Sequence, residues 1–339
     1  MSRTGDHGRE PEPDSHRVGA AGPPLTVLAD VLGSRALRAR TISAVHTTPQ
    51  VPIDMDAVFP QLRALAQTTT RLHPRKGSPS EEQSSVGGPL LWPVSEPWPT
   101  CDGSGLDDHP GEVGVPLVPV LQLFADDVPE LPFPKGSDVL QVLWCPFDHD
   151  PWSAPLPRVR WRRRSAIGPR LATMPEPHED AEAWYVPDPC VVDPERVVEY
   201  PSYDLPREVW SQIQEAARRV EADHGWEYDT DLAVAPGIKA GGYPGWTQSP
   251  DWPVCPCGSR MEHLLTIATW EFSRGDEQRW IPLEDRPAMI GWGFDSPDDD
   301  PWRSLQNPTG LMLGDAGGIY LFVCTACPER PYDHRFDCS

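Results

Sequence analysis

Four cysteines in the second half of the chain stand in two close pairs, Cys255-Pro-Cys257-Gly258 and Cys324-Thr-Ala-Cys327-Pro328. Two short thiol pairs separated by a long stretch of chain are what a tetrahedral Zn²⁺ takes from a protein, because each pair offers two sulfurs from one tight knuckle. The first pair departs from the commoner Cys-x-x-Cys spacing. Gly258, directly after its second thiol, suits the sharp backbone turn that a knuckle needs. The reading is a structural zinc on Cys255, Cys257, Cys324 and Cys327. Such sites are worth about 10–16 kcal/mol in small zinc domains, enough to hold a loop-rich region together. His263, His334 and Cys338 are reserve ligands, with His334 foremost because it follows Cys327 closely. The competing chemistry is redox. Redox pairs are commonly activated at a helix N-terminus, and Pro328 and Pro331 follow this pair, the second of them disfavouring a helix.

The elements that would position these thiols form a repeat. Gly87–Cys101 reads GGPLLWPVSEPWPTC and Gly241–Cys255 reads GGYPGWTQSPDWPVC, so both match GG-x3-W-x2-S-x2-WP-x-C. After each copy comes an apolar, strand-like run, and later a second such run that ends at a cysteine. The runs are Val115–Phe124 and Val139–Trp144 in the first copy, His263–Phe272 and Gly318–Val323 in the second. Cys101 thus matches Cys255, and Cys145 matches Cys324. Trp is too scarce for chance to place it at these offsets, and the pattern predicts an internal duplication in which each copy supplies half of one core. In the first copy the matching cysteines lack partners, and Cys101, Cys145 and Cys190 are expected to pack as small apolar side chains.

The remaining elements fall around this repeat. Asp56–Leu72 has apolar residues at helical spacing behind a capping Asp56. Leu205–Asp223 reads as a helix capped by Asp204 and ended by Gly225. Arg158–Arg164 alternates like a half-buried strand, and short strands are expected near Cys190–Val192 and Val197–Tyr200. The organisation is therefore a disordered extension over 1–52, a first pseudo-repeat over 53–165, a Pro-rich connection over 166–204 and a second pseudo-repeat over 205–339. Within the extension only Leu25–Leu37 could form a short helix, and Met55 opens the first convincing element and is a candidate start.

Composition narrows the function classes. The 339 residues include 43 Pro, which disfavours long helices, and 14 Trp, which argues against wholesale disorder. A net charge of −22 repels phosphate backbones and sets nucleic acid aside, while leaving a basic protein partner open. The N-terminus lacks a signal-peptide pattern, and no apolar run reaches the roughly 20 residues of a membrane span. The expectation is a cytoplasmic acidic protein with reduced thiols.

No phosphate-binding loop, nucleophile elbow or zinc-protease motif occurs. Asp148-His149-Asp150 reads as a solvated turn, or else as part of a hydrolase site with Asp315. Asp315 itself is explained by its turn. Asp295, Asp298, Asp299 and Asp300 fit no EF-hand spacing and read as a solvated loop. Arg162–Arg164 reads as offsetting nearby acids. Trp92, Trp98, Trp246 and Trp252 read as packing that locks the two Pro-rich loops, or as the floor of a groove.

Ser85-Val-Gly-Gly-Pro-Leu-Leu-Trp-Pro93, Leu121-Gln-Leu123, Lys239-Ala-Gly-Gly-Tyr-Pro244 and Gly314-Asp-Ala-Gly317 resemble the YwqG-like bacterial family of unknown function. The resemblance covers about residues 55–330. It implies a mainly β (α+β), internally duplicated, roll-like domain with a few flanking helices, and it implies no reaction. The cysteine pairs are no part of it, so zinc rests on their spacing. Two functions follow. One is a non-enzymatic module that binds a protein or small ligand in a groove between the pseudo-repeats, with zinc as scaffold. The other is a hydrolase using Asp148, His149 and Asp315 in that cleft.

Overall fold

In the computed structural model, which describes residues 46–103, 109–110, 114–291 and 301–338, the apolar runs of both halves become antiparallel strands. Val118–Phe124 pairs with Val139–His149, which pairs in turn with Ala154–Arg162. Glu262–Ala268 pairs with Gly318–Val323, which pairs with Tyr332–Asp337. A short strand heads each trio, Ser85–Val86 for the first and Lys239–Gly241 for the second, each running into its Gly-Gly loop.

Each trio is then completed by a strand from elsewhere in the chain. Cys190–Val191 adds to Ser85–Val86, and Gln67–Arg71 adds to Lys239–Gly241. Arg75–Lys76 and Glu195–Glu199 form the outer edges. The result is two six-stranded sheets whose strand orders correspond position by position, so that a walk from Gln67 and a walk from Cys190 visit the same places. In both walks the first strand lies in one sheet and the rest in the other. A third, two-stranded sheet joins Thr100–Cys101 to Val115–Pro116.

Both large sheets feed one apolar cluster. Leu121, Leu123, Leu140 and Val142 from one meet Leu264, Ile267, Ile319 and Leu321 from the other. Each such side chain contributes about 1.5–3 kcal/mol on burial, and none of this gain is complete until the sheets meet. The fold is mainly β with few helices, as expected, and among the described residues no helix is long and apolar enough to cross a membrane.

Several expectations need correction. The helix read over 56–72 is a short turn of α-helix at Met55–Val58, a 3-10 helix at Pro60–Leu65 and then the strand Gln67–Arg71. Three consecutive threonines favour a strand, and pairing on both sides overrides the helical spacing. The strand expected to stop at Trp144 continues to His149, carried by its pairing with Ala154–Leu156. Part of the loop read over 295–309 is the helix Pro301–Gln306, while its aspartates lie outside the described residues. The helix Arg207–His224 ends at Gly225 as expected, but Pro206 stands at its N-cap and Asp204 serves elsewhere. Most of the extension read over 1–52, with its short helix, lies outside the described residues. Its last part is docked, with the His46 N–H donating to Asp193 at 2.8 Å and the Thr48 N–H to Glu195 at 2.7 Å.

The second Gly-Gly loop has a physical reason. The Glu199 carboxylate is fully buried and takes two contacts from the Lys239 ammonium, at 2.7 and 2.8 Å. It also accepts from the backbone N–H of Ala235 at 2.8 Å and of Tyr243 at 2.5 Å. A Cβ on Gly242, at φ +72°, would fall 2.0 Å from its Oε1. Gly242→Ala is therefore expected to cost clearly more than Gly225→Ala, where φ is +71° and no atom lies within 4 Å. The latter carries only the backbone term, about 1–2 kcal/mol. Urea midpoints of the two variants make the comparison, and equal losses would contradict this account.

Candidate metal centre

The two cysteine pairs meet. Cys255 and Cys257 lie on a turn whose Gly258 N–H donates to the Cys255 carbonyl at 2.8 Å, with Gly258 at φ +91°, so the expected tight knuckle is present. Cys324 directly follows the buried strand Gly318–Val323, its N–H donating to the Pro331 carbonyl at 2.9 Å, and the chain bends at once. The Arg330 N–H donates to the Cys327 carbonyl at 3.1 Å, closing the second turn. The central strands Glu262–Ala268 and Gly318–Val323 pair across a register shift between His263 and Leu265 that sets Glu262 opposite Val323, and so bring one knuckle over the other.

All four sulfurs lie within 4.8 Å of one another. Cys255 Sγ is 3.9 Å from Cys327 Sγ, and Cys257 Sγ is 3.6 Å from Cys324 Sγ. A tetrahedron with Zn–S bonds of about 2.3 Å has S···S edges of about 3.8 Å. Both distances run from one knuckle to the other, so the four sulfurs form a single cluster. All four cysteines are free thiols. Cys257 is exposed, and the Ser259 hydroxyl beside it lowers its thiol to about 6, while the Cys257 and Cys324 sulfurs push the Cys327 thiol up to about 12. Cys255 and Cys324 are buried against Trp246, Met261, Tyr320 and Phe322, so a cluster of large rings backs the site. No helix follows Cys327 among the described residues, in keeping with the weak case for a redox pair.

The reserve ligands stand aside. His263 is buried with Nδ1 at 3.1 Å from the Gly241 carbonyl and Nε2 at 3.0 Å from the Thr266 hydroxyl. His334 packs its ring edge-on to Trp152. Cys338 lies beside Gly314 and Gly317.

The hydrolase constellation does not assemble. Asp148 is exposed and accepts from the Tyr185 hydroxyl at 2.8 Å, while His149, next on the strand, is buried on the opposite face. Asp315 is exposed in its turn before Gly318–Val323. No hydrogen bond or ion pair joins any two of the three among the described residues. The reading of 148–150 as a solvated turn is corrected for Asp148 and His149, which belong to the strand, His149 being buried as well.

A second correction concerns the first-half cysteines. Cys190 does pack as a small buried side chain, its thiol 3.4 Å from the Pro308 carbonyl. Cys101 and Cys145, by contrast, have imidazole neighbours. His149 Nε2 is 3.9 Å from Cys101 Sγ, and His109 Nε2 is 3.1 Å from Cys145 Sγ. Burial lowers His149 to about 4, so its ring is neutral at neutral pH.

The arginines and tryptophans have structural employment. Arg162 makes a two-pronged pair with Glu96, at 2.6 and 2.9 Å, and lies over the Trp92 ring. Trp92 and Trp246 are buried, each beside its partner Trp98 or Trp252. Trp252 has a second side, on a cavity of about 640 Å³. Glu130, Leu131 and Pro132 line that cavity from the first half, and Tyr243, Trp252 and Arg260 from the second. The Arg260 guanidinium stacks on Trp252 at 3.9 Å, and Trp252 Nε1 donates to Asp204 at 3.1 Å.

A scan of protein-family models finds none that matches this chain, and a search of curated proteins finds no match either. Nothing beyond the residues quoted for it therefore bears on the YwqG-like resemblance.

Proposed function

We propose that this chain is a non-catalytic, cytoplasmic binding module in which a structural Zn²⁺ on Cys255, Cys257, Cys324 and Cys327 holds one wall of a ligand groove. The observation that carries this reading is the placement of Trp252 and Arg260, each three residues from a knuckle thiol and both facing the 640 Å³ cavity. The volume falls within the roughly 300–1,000 Å³ typical of small-molecule sites. Clamping the thiols fixes the loop, and fixing the loop presents an aromatic face and a cation to whatever enters. The occupant is a small ligand or a peptide segment of a protein partner. The matched strand orders support an internal duplication, and the YwqG-like likeness rests on the paired Gly-Gly loops and the other quoted residues.

Elemental analysis of the purified protein is expected to find zinc that survives gel filtration. Protein without zinc after purification in metal-replete medium would reject the scaffold role. Assays with ester, amide and phosphoester substrates are expected to show no turnover. Hydrolysis that disappears in Asp148→Asn and Asp315→Asn would reject the non-catalytic reading.

A further inference from the structure

We infer that the first half of the chain holds a second metal site, on Cys101, His109, Cys145 and His149, with two thiolates and two imidazoles suited to Zn²⁺. The inference rests on the convergence of these four side chains on one point inside the protein. One ligand atom from each lies within 4.8 Å of all the others, and all four residues are buried. Zn–S bonds of about 2.3 Å and Zn–N bonds of about 2.0–2.1 Å imply S···N edges of about 3.5 Å in a tetrahedron. The two observed thiol–imidazole distances, 3.1 and 3.9 Å, bracket that value.

The supporting structure has the same plan as the thiol site of the second half. Cys101 ends the segment that follows a Gly-Gly turn, as Cys255 does, and Cys145 lies on the second central strand of its sheet, where Cys324 directly follows the corresponding strand. In each half the second ligand of each pair lies shortly downstream of the first. The strand carrying Cys145 shifts register between Cys145 and His149, which lets two residues four apart in sequence face the same point. Gly103, at φ +59°, leaves the space that the His109 ring occupies, since a Cβ there would lie 1.9 Å from Nδ1. His109 Nδ1 is buried without a hydrogen-bond partner among the described residues, so the polar surroundings of that ring are the other members of the cluster. The His109 and His149 rings meet edge to face at 5.5 Å, and Phe147 packs against His109 at 5.1 Å.

Other readings of the cluster explain less. Apolar packing accounts for two thiols but not for two imidazoles buried among them, since unpaired buried polar groups are costly. A nucleophilic Cys145 activated by His109 would need access to substrate, and Cys145 is 1% exposed. A simple thiol–imidazole hydrogen bond accounts for His109 with Cys145 but leaves Cys101 and His149 without a reason to converge on them.

Zinc K-edge absorption of the full-length protein, with zinc content per chain, separates this site from the one proposed above without any variant. Two zinc ions with an average shell of three sulfurs and one nitrogen are expected, from four sulfurs at one site and two sulfurs plus two nitrogens at the other. One zinc with four sulfurs would overturn the second site and leave the first standing. One zinc with two sulfurs and two nitrogens would leave the second and overturn the first. A Cys101–Cys145 disulfide in protein purified under reducing conditions would also overturn it. As a second line, His149→Ala is expected to release one zinc per chain and leave an all-sulfur shell, and unchanged metal content in that variant would overturn the assignment.

Discussion

Changing Cys257 to serine is expected to weaken zinc binding, so that the ion is lost to a chelator the parent withstands, and to lower the melting temperature by about 10–20 °C. Cys257 is the informative ligand because it is exposed, so its loss empties no packed space. Cys324 is 0% exposed and sits within an aromatic cluster, and Cys324→Ser would add the cost of a buried hydroxyl to that of the metal. The magnitude follows from what remains. Three thiolates still bind zinc, more weakly, so a loss of about 5 kcal/mol from a full site worth about 10–16 is reasonable. For a domain of this size each kcal/mol moves the midpoint by about 2–4 °C. Calorimetry beside elemental analysis after chelator treatment reads both quantities. A variant that then keeps its full zinc content and its melting temperature would mean that the four sulfurs converge for some other reason.

Truncating Glu199 to alanine is expected to destabilise the protein by about 4–6 kcal/mol. Burial pushes the Glu199 carboxyl up and the Lys239 ammonium down, while the charge of each opposes the shift of the other. Breaking a buried pair from one side costs about 3–5 kcal/mol, because the surviving charge has no water to turn to. The N–H groups of Ala235 and Tyr243 lose their acceptor as well, adding about 1 kcal/mol or more. The double change Glu199→Gln with Lys239→Met removes both charges and keeps a carbonyl acceptor, so it is expected to be milder than Glu199→Ala alone. Urea denaturation orders the variants. A Glu199→Ala protein within about 1 kcal/mol of the parent would show that the pair is not a keystone. Gly242 and Tyr243, which this carboxylate organises, also line the groove, so loosening the pair is expected to weaken ligand capture even at temperatures where the fold persists.

Much of the candidate site was legible because metal binding leaves close-spaced marks. Cys255, Cys257, Cys324 and Cys327 declare themselves as pairs, and the aligned Gly-Gly and Trp offsets mark two stretches whose strands take corresponding places in the two sheets. The helix Arg207–His224 and the strand Gly318–Val323 were equally plain, since each carries its own periodicity and its own stop. Gln67–Arg71 was misread, because its threonines are held by neighbours such as Thr69's partners Val197 and Gly241, 128 and 172 residues away, which a local window does not contain. His109 and His149 were missed as companions of Cys101 and Cys145. The available signal was a histidine four residues after the strand cysteine, in the place where the other half has Cys327 three residues after Cys324.

The order of residues by itself determined that there are two thiol knuckles, two Gly-Gly loops and the apolar runs between them, because each depends on short-range geometry or on burial of one strand face. Tertiary structure decided which groups share a point in space. Strand exchange between the sheets, the register shift beyond Cys145 and the buried carboxylate under Gly242 each place distant residues in contact. Those placements come from closing both sheets on one core, where packing over the whole chain outweighs the preference of any single segment.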